Sequence, residues 1–271
     1  MDELPDTALY LYCVVPATDP IPALSSPALD GGPVRAVRYQ ELAGLAHVCP
    51  PEPYQGSEEE VRRWIVAHDA VVQEAWERAG SVLPVSFDVI VRGDGNRNAE
   101  ASLVGWLEEH YEELRAHLQA LEERAEVGVQ ILWDLETLAT SMVIGAEAAG
   151  APARGHAYFA RQQLRRQLRE QLGARAEVDS RRYFEHLAAL ADEVQVNKPR
   201  PVKGRQMVLN LSLLVTRAAI SRVGEYLEGV SREPGVEVRF TGPWPPYSFA
   251  GTFGTIGDGV AERKKSTTGG A

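Results

Sequence analysis

The chain has 271 residues, 44% apolar and 24% charged, enough for one large or two ordinary globular domains with a real core and no need of disulfide or metal staples. Its formal net charge of −10 argues against a general nucleic-acid binder, and no apolar run approaches the ~20 residues of a membrane span. The acidic start, Met1-Asp2-Glu3-Leu4-Pro5-Asp6, lacks the basic region of a signal peptide. Cys13 and Cys49 each lie in a short apolar stretch and are expected as buried free thiols, so a cytoplasmic protein follows.

Charge also divides the chain. Residues 1–125 hold 9 Lys+Arg against 22 Asp+Glu, and residues 126–271 hold 19 against 16. That asymmetry suits two domains with different surfaces. The expected boundaries are an acidic α+β domain over 1–125, a second α+β domain over 126–250, and a flexible Gly-rich tail over 251–271.

Ala8 to Val15 is a β-branched and aromatic run stopped by Pro16, a central strand. Five prolines make 16–33 a surface loop, and Val34–Tyr39 and Leu42–Val48 read as short strands. Ser57 with Glu60 forms a capping box ahead of Val61, Trp64, Ile65, His68, Val71, Val72, Ala75 and Trp76, which repeat at helical spacing until Gly80. Ser81 to Val91 alternates as a long strand, Arg92 to Asn96 turns, and a helix is expected from Asn98 to Ala125. In the second half Val127, Val129, Ile131 and Trp133 alternate as a strand, and Leu135 to Ala149 is helical. The Arg-rich stretch Gly155–Leu172, stopped by Gly173, pairs with a helix over Asp179–Ala191 in a helical hairpin. A short strand over Val194–Asn197, a strand over Gln206–Val215, a helix over Thr216–Val230 and a strand over Val236–Phe240 follow. The resulting fold class is α+β, with two domains of ferredoxin-like βαββαβ type and the hairpin expanding the first helix of the second.

A search for chemistry finds no phosphate-binding glycine loop, no dinucleotide fingerprint and no nucleophile elbow. His110, Glu113 and His117 share a helix face, yet His110 borders the inward stripe and Glu113 a solvated acidic face, so no metal site is assigned. His68, on an apolar stripe, is expected as a hydrogen-bonded core histidine. No cofactor is implied. The arginines on the hairpin, Arg161, Arg165 and Arg169 among them, can form a salt-bridged solvated face or dock an acidic surface; no aromatic ladder suited to bases accompanies them.

The closing stretch Thr241-Gly242-Pro243-Trp244-Pro245-Pro246-Tyr247-Ser248-Phe249 is the most distinctive. Three prolines remove three backbone donors, so it should be stiff and extended and hold Trp244, Tyr247 and Phe249 in a set arrangement. Such a segment can plug a core edge or serve as a preformed aromatic platform for another chain.

Gly242 to Phe249 resembles the closing signature of the gas vesicle protein F/L family. Leu9 to Val15 is similar to that family's opening strand, Trp64 and His68 followed by Val82-Leu83-Pro84-Val85-Ser86-Phe87 to its helix and following segment, and Gly155-His156-Ala157-Tyr158-Phe159 to a helix start. Asp88-Val89 and Phe159 depart from its usual residues. The resemblance spans roughly residues 8–250. It implies a non-enzymatic accessory or minor structural protein of gas vesicle formation, found in the cytoplasm and at the gas vesicle. The implied partners are the shell-forming protein GvpA and other accessory proteins, with the chain itself a monomer or weak oligomer. Covering the shell subunit's apolar surface would assist assembly or nucleation. Trp244, Tyr247 and Phe249 are the contact candidates, with Arg161, Arg165 and Arg169 as an electrostatic dock. The alternative is a ferredoxin-like small-molecule binder or enzyme with an interdomain site; an RNA-binding reading is opposed by the acidic first half.

Overall fold

The computed structural model describes residues 7–18, 24–93, 96–135, 137–138 and 157–251, and only the backbone of 157–171. It has two compact units, one comprising the chain up to Glu123 together with residues from Pro245 on, the other Arg124–Trp244. Both are mixed helix and antiparallel sheet, the expected α+β class.

The first unit runs β1 (Ala8–Pro16), β2 (Arg35–Tyr39), β3 (Leu42–Cys49), α1 (Glu58–Ala79), β4 (Leu83–Pro84), β5 (Ile90–Val91), α2 (Ala99–Glu109) and α3 (Tyr111–Ala120). This order is not βαββαβ. Its sheet is ordered β2-β3-β1-β4, with β5 also pairing β1. β1 is central and buried along its length apart from Pro16, which is why its residues are apolar on both faces. The capping box at Ser57 and Glu60 starts α1, and Gly80 at φ 78° ends it, since a left-handed C-cap favours glycine. Cys13 and Cys49 are buried free thiols; burial pushes Cys49 up to about 11.

Two elements are shorter than the periodicity predicts. In place of one strand over Ser81–Val91, only the two-residue β4 and β5 pair with β1. Between them the chain swings out around Asp88, at φ 73°, so that its backbone N–H reaches the Tyr10 hydroxyl at 3.0 Å. The helix expected over 98–125 breaks at His110 and ends at Ala120. The following strand begins at Arg124, where β pairing replaces the last predicted turn.

The second unit runs β6 (Arg124–Asp134), α4 (Ala157–Ala188), β7 (Glu193–Val196), β8 (Arg205–Thr216), a 3₁₀ turn at Arg217–Ala219, α5 (Ile220–Ser231) and β9 (Val236–Trp244). Its sheet order is β7-β8-β6-β9. Val127, Val129 and Ile131 of β6 and Leu209, Leu211, Leu213 and Val215 of β8 form the core with Tyr183 and Leu187 of α4 and Val223, Leu227 and Val230 of α5. Among the described residues no helix is long and apolar enough to cross a membrane.

The predicted helical hairpin is absent: α4 is one helix of 32 residues running through Gly173. A glycine lowers helix propensity by about 1 kcal/mol but does not by itself terminate a helix. Gly173 has no left-handed φ and only open space where a Cβ would stand. The helix expected over 135–149 falls largely outside the described residues, as does the tail beyond Gly251.

The continuity of α4 predicts that Gly173→Ala raises stability by about 0.5–1 kcal/mol, read as a higher urea midpoint with unchanged helicity. Lower stability or helicity would place a chain reversal at this residue.

Candidate functional site

The closing stretch does not form one platform. β9 continues through Gly242 and Pro243 to Trp244, which lies opposite Glu126 of β6. The strand tolerates Pro243 because β9 ends the sheet. Gly242 has φ 108°, and a Cβ there would lie 2.8 Å from the Glu126 carbonyl oxygen, so the position demands glycine. Trp244 is 52% exposed. From Pro245 the chain belongs to the first unit, although the sequence placed the whole motif in the second. There Tyr247–Phe249 form a 3₁₀ turn, and the Tyr247 hydroxyl donates to Asp69 Oδ1 at 3.0 Å. Burial and the adjacent carboxylate both push the Tyr247 phenol up. Phe249 is half-buried. Tyr247 and Phe249 thus belong to one unit and Trp244 to the other.

The side chains of Arg161, Arg165 and Arg169 lie outside the described residues. Further along α4, Arg175 pairs with Asp179 at 3.1 Å, and Arg182 with Glu233 at 2.9 Å. That stretch forms internal ion pairs. Among the described residues no cluster of three or more His, Cys, Asp or Glu could hold a metal ion.

Polar groups do converge inside the first unit. The Tyr10 hydroxyl lies 2.9 Å from His68 Nδ1, and that of Tyr12 2.9 Å from His47 Nδ1. Each phenol oxygen also accepts a backbone N–H, from Asp88 at 3.0 Å and Leu29 at 3.1 Å, so each hydroxyl is held between the backbone and an imidazole. His47 Nε2 then faces the Tyr54 hydroxyl at 3.1 Å. Tyr54 is fixed in turn by its N–H to Asp88 Oδ1, 3.0 Å. His68 Nε2 has no partner within hydrogen-bond geometry, while the Val85 carbonyl still favours the charged ring. Tyr10, Tyr12, His47 and His68 are almost completely buried and spend their polar atoms largely on one another. Their chemistry is internal: they satisfy hydroxyls that a buried strand would otherwise leave unpaired. His68 is therefore the core histidine expected from its helical position.

An open site lies in the second unit, on residues other than the contact candidates that the sequence reading named there. A groove of about 670 Å³ runs between α4 and the start of β8, lined by Ala176, Phe184, Val196, Met207 and Val208 with Glu177 and Arg181 of α4 at its side. Val196 is 68% exposed. Two lining residues, Val196 and Gln206, bracket the loop Lys198-Pro199-Arg200-Pro201-Val202-Lys203-Gly204-Arg205. The loop is held by Asn210 Nδ2 donating to the Lys198 carbonyl at 2.9 Å and by a bridge between Val202 and Arg205. Arg205 pairs with Asp134 and Glu237. Lys198, Arg200 and Lys203 point into solvent, and no acidic residue occurs between 197 and 206. Their signal was legible: four cations in eight residues without an acid, on a chain of net charge −10.

Register separates this groove from Trp244. Gln206 lies opposite Trp133 at one end of β6, and Trp244 opposite Glu126 at the other, roughly 20 Å away at the rise of a strand.

Burial holds His68 down at about 4, against Asp69 and the Val85 carbonyl; it lowers His47 too, against Asp30. An unfolded histidine titrates near 6.5, so between these values the unfolded chain binds the extra proton and acid favours unfolding. Full stability from His68 is present above about pH 6.5 and is lost as pH falls toward 4, by about 2 kcal/mol at pH 5. Urea unfolding at pH 7 and pH 5 should show that drop, and His68→Gln should make it shallower. An unchanged slope in the variant would assign the acid sensitivity elsewhere.

Comparison with known proteins agrees with this architecture. Residues 8–251 match the family described as gas vesicle synthesis protein GvpL/GvpF. The chain is 29% identical over 263 residues to gas vesicle protein L1 of Halobacterium salinarum, covering 90% of this chain and 91% of that one. It is 29% identical over 259 residues to gas vesicle protein L of a Streptomyces species, covering 91% and 94%. The crystal structure of gas vesicle protein GvpF from Anabaena sp. superposes with a TM-score of 0.69 at 22% identity, covering 91% of this chain and 99% of that one. That of GvpF from Microcystis aeruginosa gives 0.63 at 17%, covering 90% and 99%. With the match running from the opening strand to the end of the closing motif, the chain belongs to the gas vesicle GvpL/GvpF family.

Proposed function

We propose that this chain is a non-enzymatic accessory protein that binds the shell-forming subunit GvpA and assists assembly or nucleation of the gas vesicle. A role in gas vesicle formation comes with the family, which is not known as an enzyme family. The observation that carries the finer reading is the groove: apolar side chains left in water beside solvated cations. Apolar area at such a site gains free energy only when another surface covers it, and the cations select a partner whose apolar ridge is flanked by acidic residues. The shell subunit of a gas-filled vesicle exposes apolar surface until it assembles, which is the chemistry the groove fits. Trp244, Tyr247 and Phe249, with Arg161, Arg165 and Arg169, form the competing contact set. In this reading the second unit is a ferredoxin-like sandwich, its elements running β6-α4-β7-β8-α5-β9, with α4 and α5 packed on the core that the two central strands supply. The protein works in the cytoplasm and at the vesicle. A small-molecule or enzymatic reading finds less support, because the Tyr–His cluster of the first unit is sealed.

Capture of co-expressed GvpA by the purified chain tests this. Burying an exposed valine is worth roughly 1–2 kcal/mol, and a carboxylate in its place adds a desolvation cost. Val196→Asp should therefore weaken capture by about tenfold or more, with circular dichroism unchanged. Loss in Trp244→Ala with Tyr247→Ala, and none in Val196→Asp, would move the contact to the closing segment. No capture by the unmodified chain would remove GvpA as a direct partner.

A further inference from the structure

β9 ends the sheet of the second unit and pairs on one side only, with β6. Among the described residues no strand covers its outer edge. Arg239 through Trp244 are exposed, and Phe240 is 38% exposed. An uncovered edge of this length offers its backbone donors and acceptors to another strand.

The side chains state which strand fits. Val236 and Val238 face the helices, packed against the core of the unit; Phe240 follows on the same side, 3.8 Å from where a Cβ of Gly224 in α5 would stand. Glu237 and Arg239 share the opposite face, 2.9 Å apart. Reversed and set beside itself about Val238, the segment places Val236 opposite Phe240, Glu237 opposite Arg239, and Val238 opposite its own copy. Every apolar residue then meets an apolar residue and every charge its opposite.

We propose that β9 is an interface with a second copy of this chain, two β9 strands pairing antiparallel about a twofold axis at Val238 to join two four-stranded sheets into one. A twofold axis normal to the sheet permits only whole-residue registers, because paired side chains must share a face. The two neighbouring registers fail. Centring on Glu237 puts Glu237 against Glu237, and centring on Arg239 puts Arg239 against Arg239; like charges directly opposite destabilise a pair. Pro234 and Pro243, which lack an N–H, bound the available edge almost symmetrically about Val238. In the favoured register Glu237 and Arg239 of the two copies alternate in sign across the junction, and the exposed part of Phe240 is covered by Val236 of the second copy.

This inference stands apart from capture of GvpA, and its test uses the full chain alone. Sedimentation equilibrium across a micromolar concentration series should give a monomer–dimer equilibrium. Arg239→Glu turns two attractive cross-strand pairs into repulsive ones, and should weaken dimerisation about tenfold or more. The exchange E237R/R239E restores opposite charge across the junction and should restore the dimer. Circular dichroism and urea unfolding confirm that each variant is folded. A chain that is monomeric throughout overturns the proposal. So does a dimer that Arg239→Glu leaves intact, or a folded exchange variant that stays monomeric.

Discussion

Two phenol hydroxyls on a strand that water does not reach set the terms for the first unit. β1 is buried on both faces, yet it carries Tyr10 and Tyr12 at positions without solvent. A buried hydroxyl without a partner costs on the order of 1–3 kcal/mol, so each must be met by something brought from elsewhere in the chain. His68 comes from α1, His47 from β3, and backbone N–H groups from the loops at Leu29 and Asp88. The left-handed Asp88, the interrupted strand between β4 and β5 and the placement of Tyr54 all serve that one requirement. A group of polar side chains that resembles a catalytic constellation in composition thereby serves the fold, buried and hydrogen-bonded largely within itself.

The second unit solves the opposite problem. Its core strands β6 and β8 are paired on both sides, and its unsatisfied surface lies at its margins. At one margin β7 is only four residues long, leaving the start of β8 beside α4 and opening the groove there. At the other margin β9 is nine residues long, and among the described residues no strand pairs with its outer edge. The first margin is apolar with solvated cations nearby; the second is self-complementary. The two proposed contacts, one with a partner and one with a second copy, thus use different margins of the same sheet.

Much of this was legible in the sequence because it depends on period and caps. The alternation of β6 and β8, the stripe of α1, the capping box at Ser57 and the stop at Gly80 are local signals, and local signals survive folding. The failures share a cause as well. Gly173 reads as a stop, yet a helix continues through a glycine when packing rewards it; Leu172 and Ala176 beside it are buried in a cluster with Trp133, and Tyr183 and Leu187 further along lie in the core. Ser81–Val91 has the alternation of a strand, but the hydroxyl of Tyr10, some eighty residues earlier, pulls Asp88 out of register. The closing motif was recognisable as a motif, while its division between two units at Pro245 depends on contacts such as that of Tyr247 with Asp69. The groove needed β7, β8 and α4 to be assembled before it existed at all; only its charged loop left a trace in the sequence.

That division at Pro245 bears on how the protein is made. Domains usually fold in the order in which they leave the ribosome, N-terminal first. Here the first unit lacks Tyr247 and its neighbours until all of Arg124–Trp244 has been synthesised. At ~5–20 residues per second that intervening stretch takes roughly 6 to 25 s. During that interval Asp69 and the surface around it stand without their final cover, whereas the second unit is complete in a single uninterrupted run. The unit that begins the chain is therefore finished last, and the short segment around Tyr247 acts as the latch on its beginning.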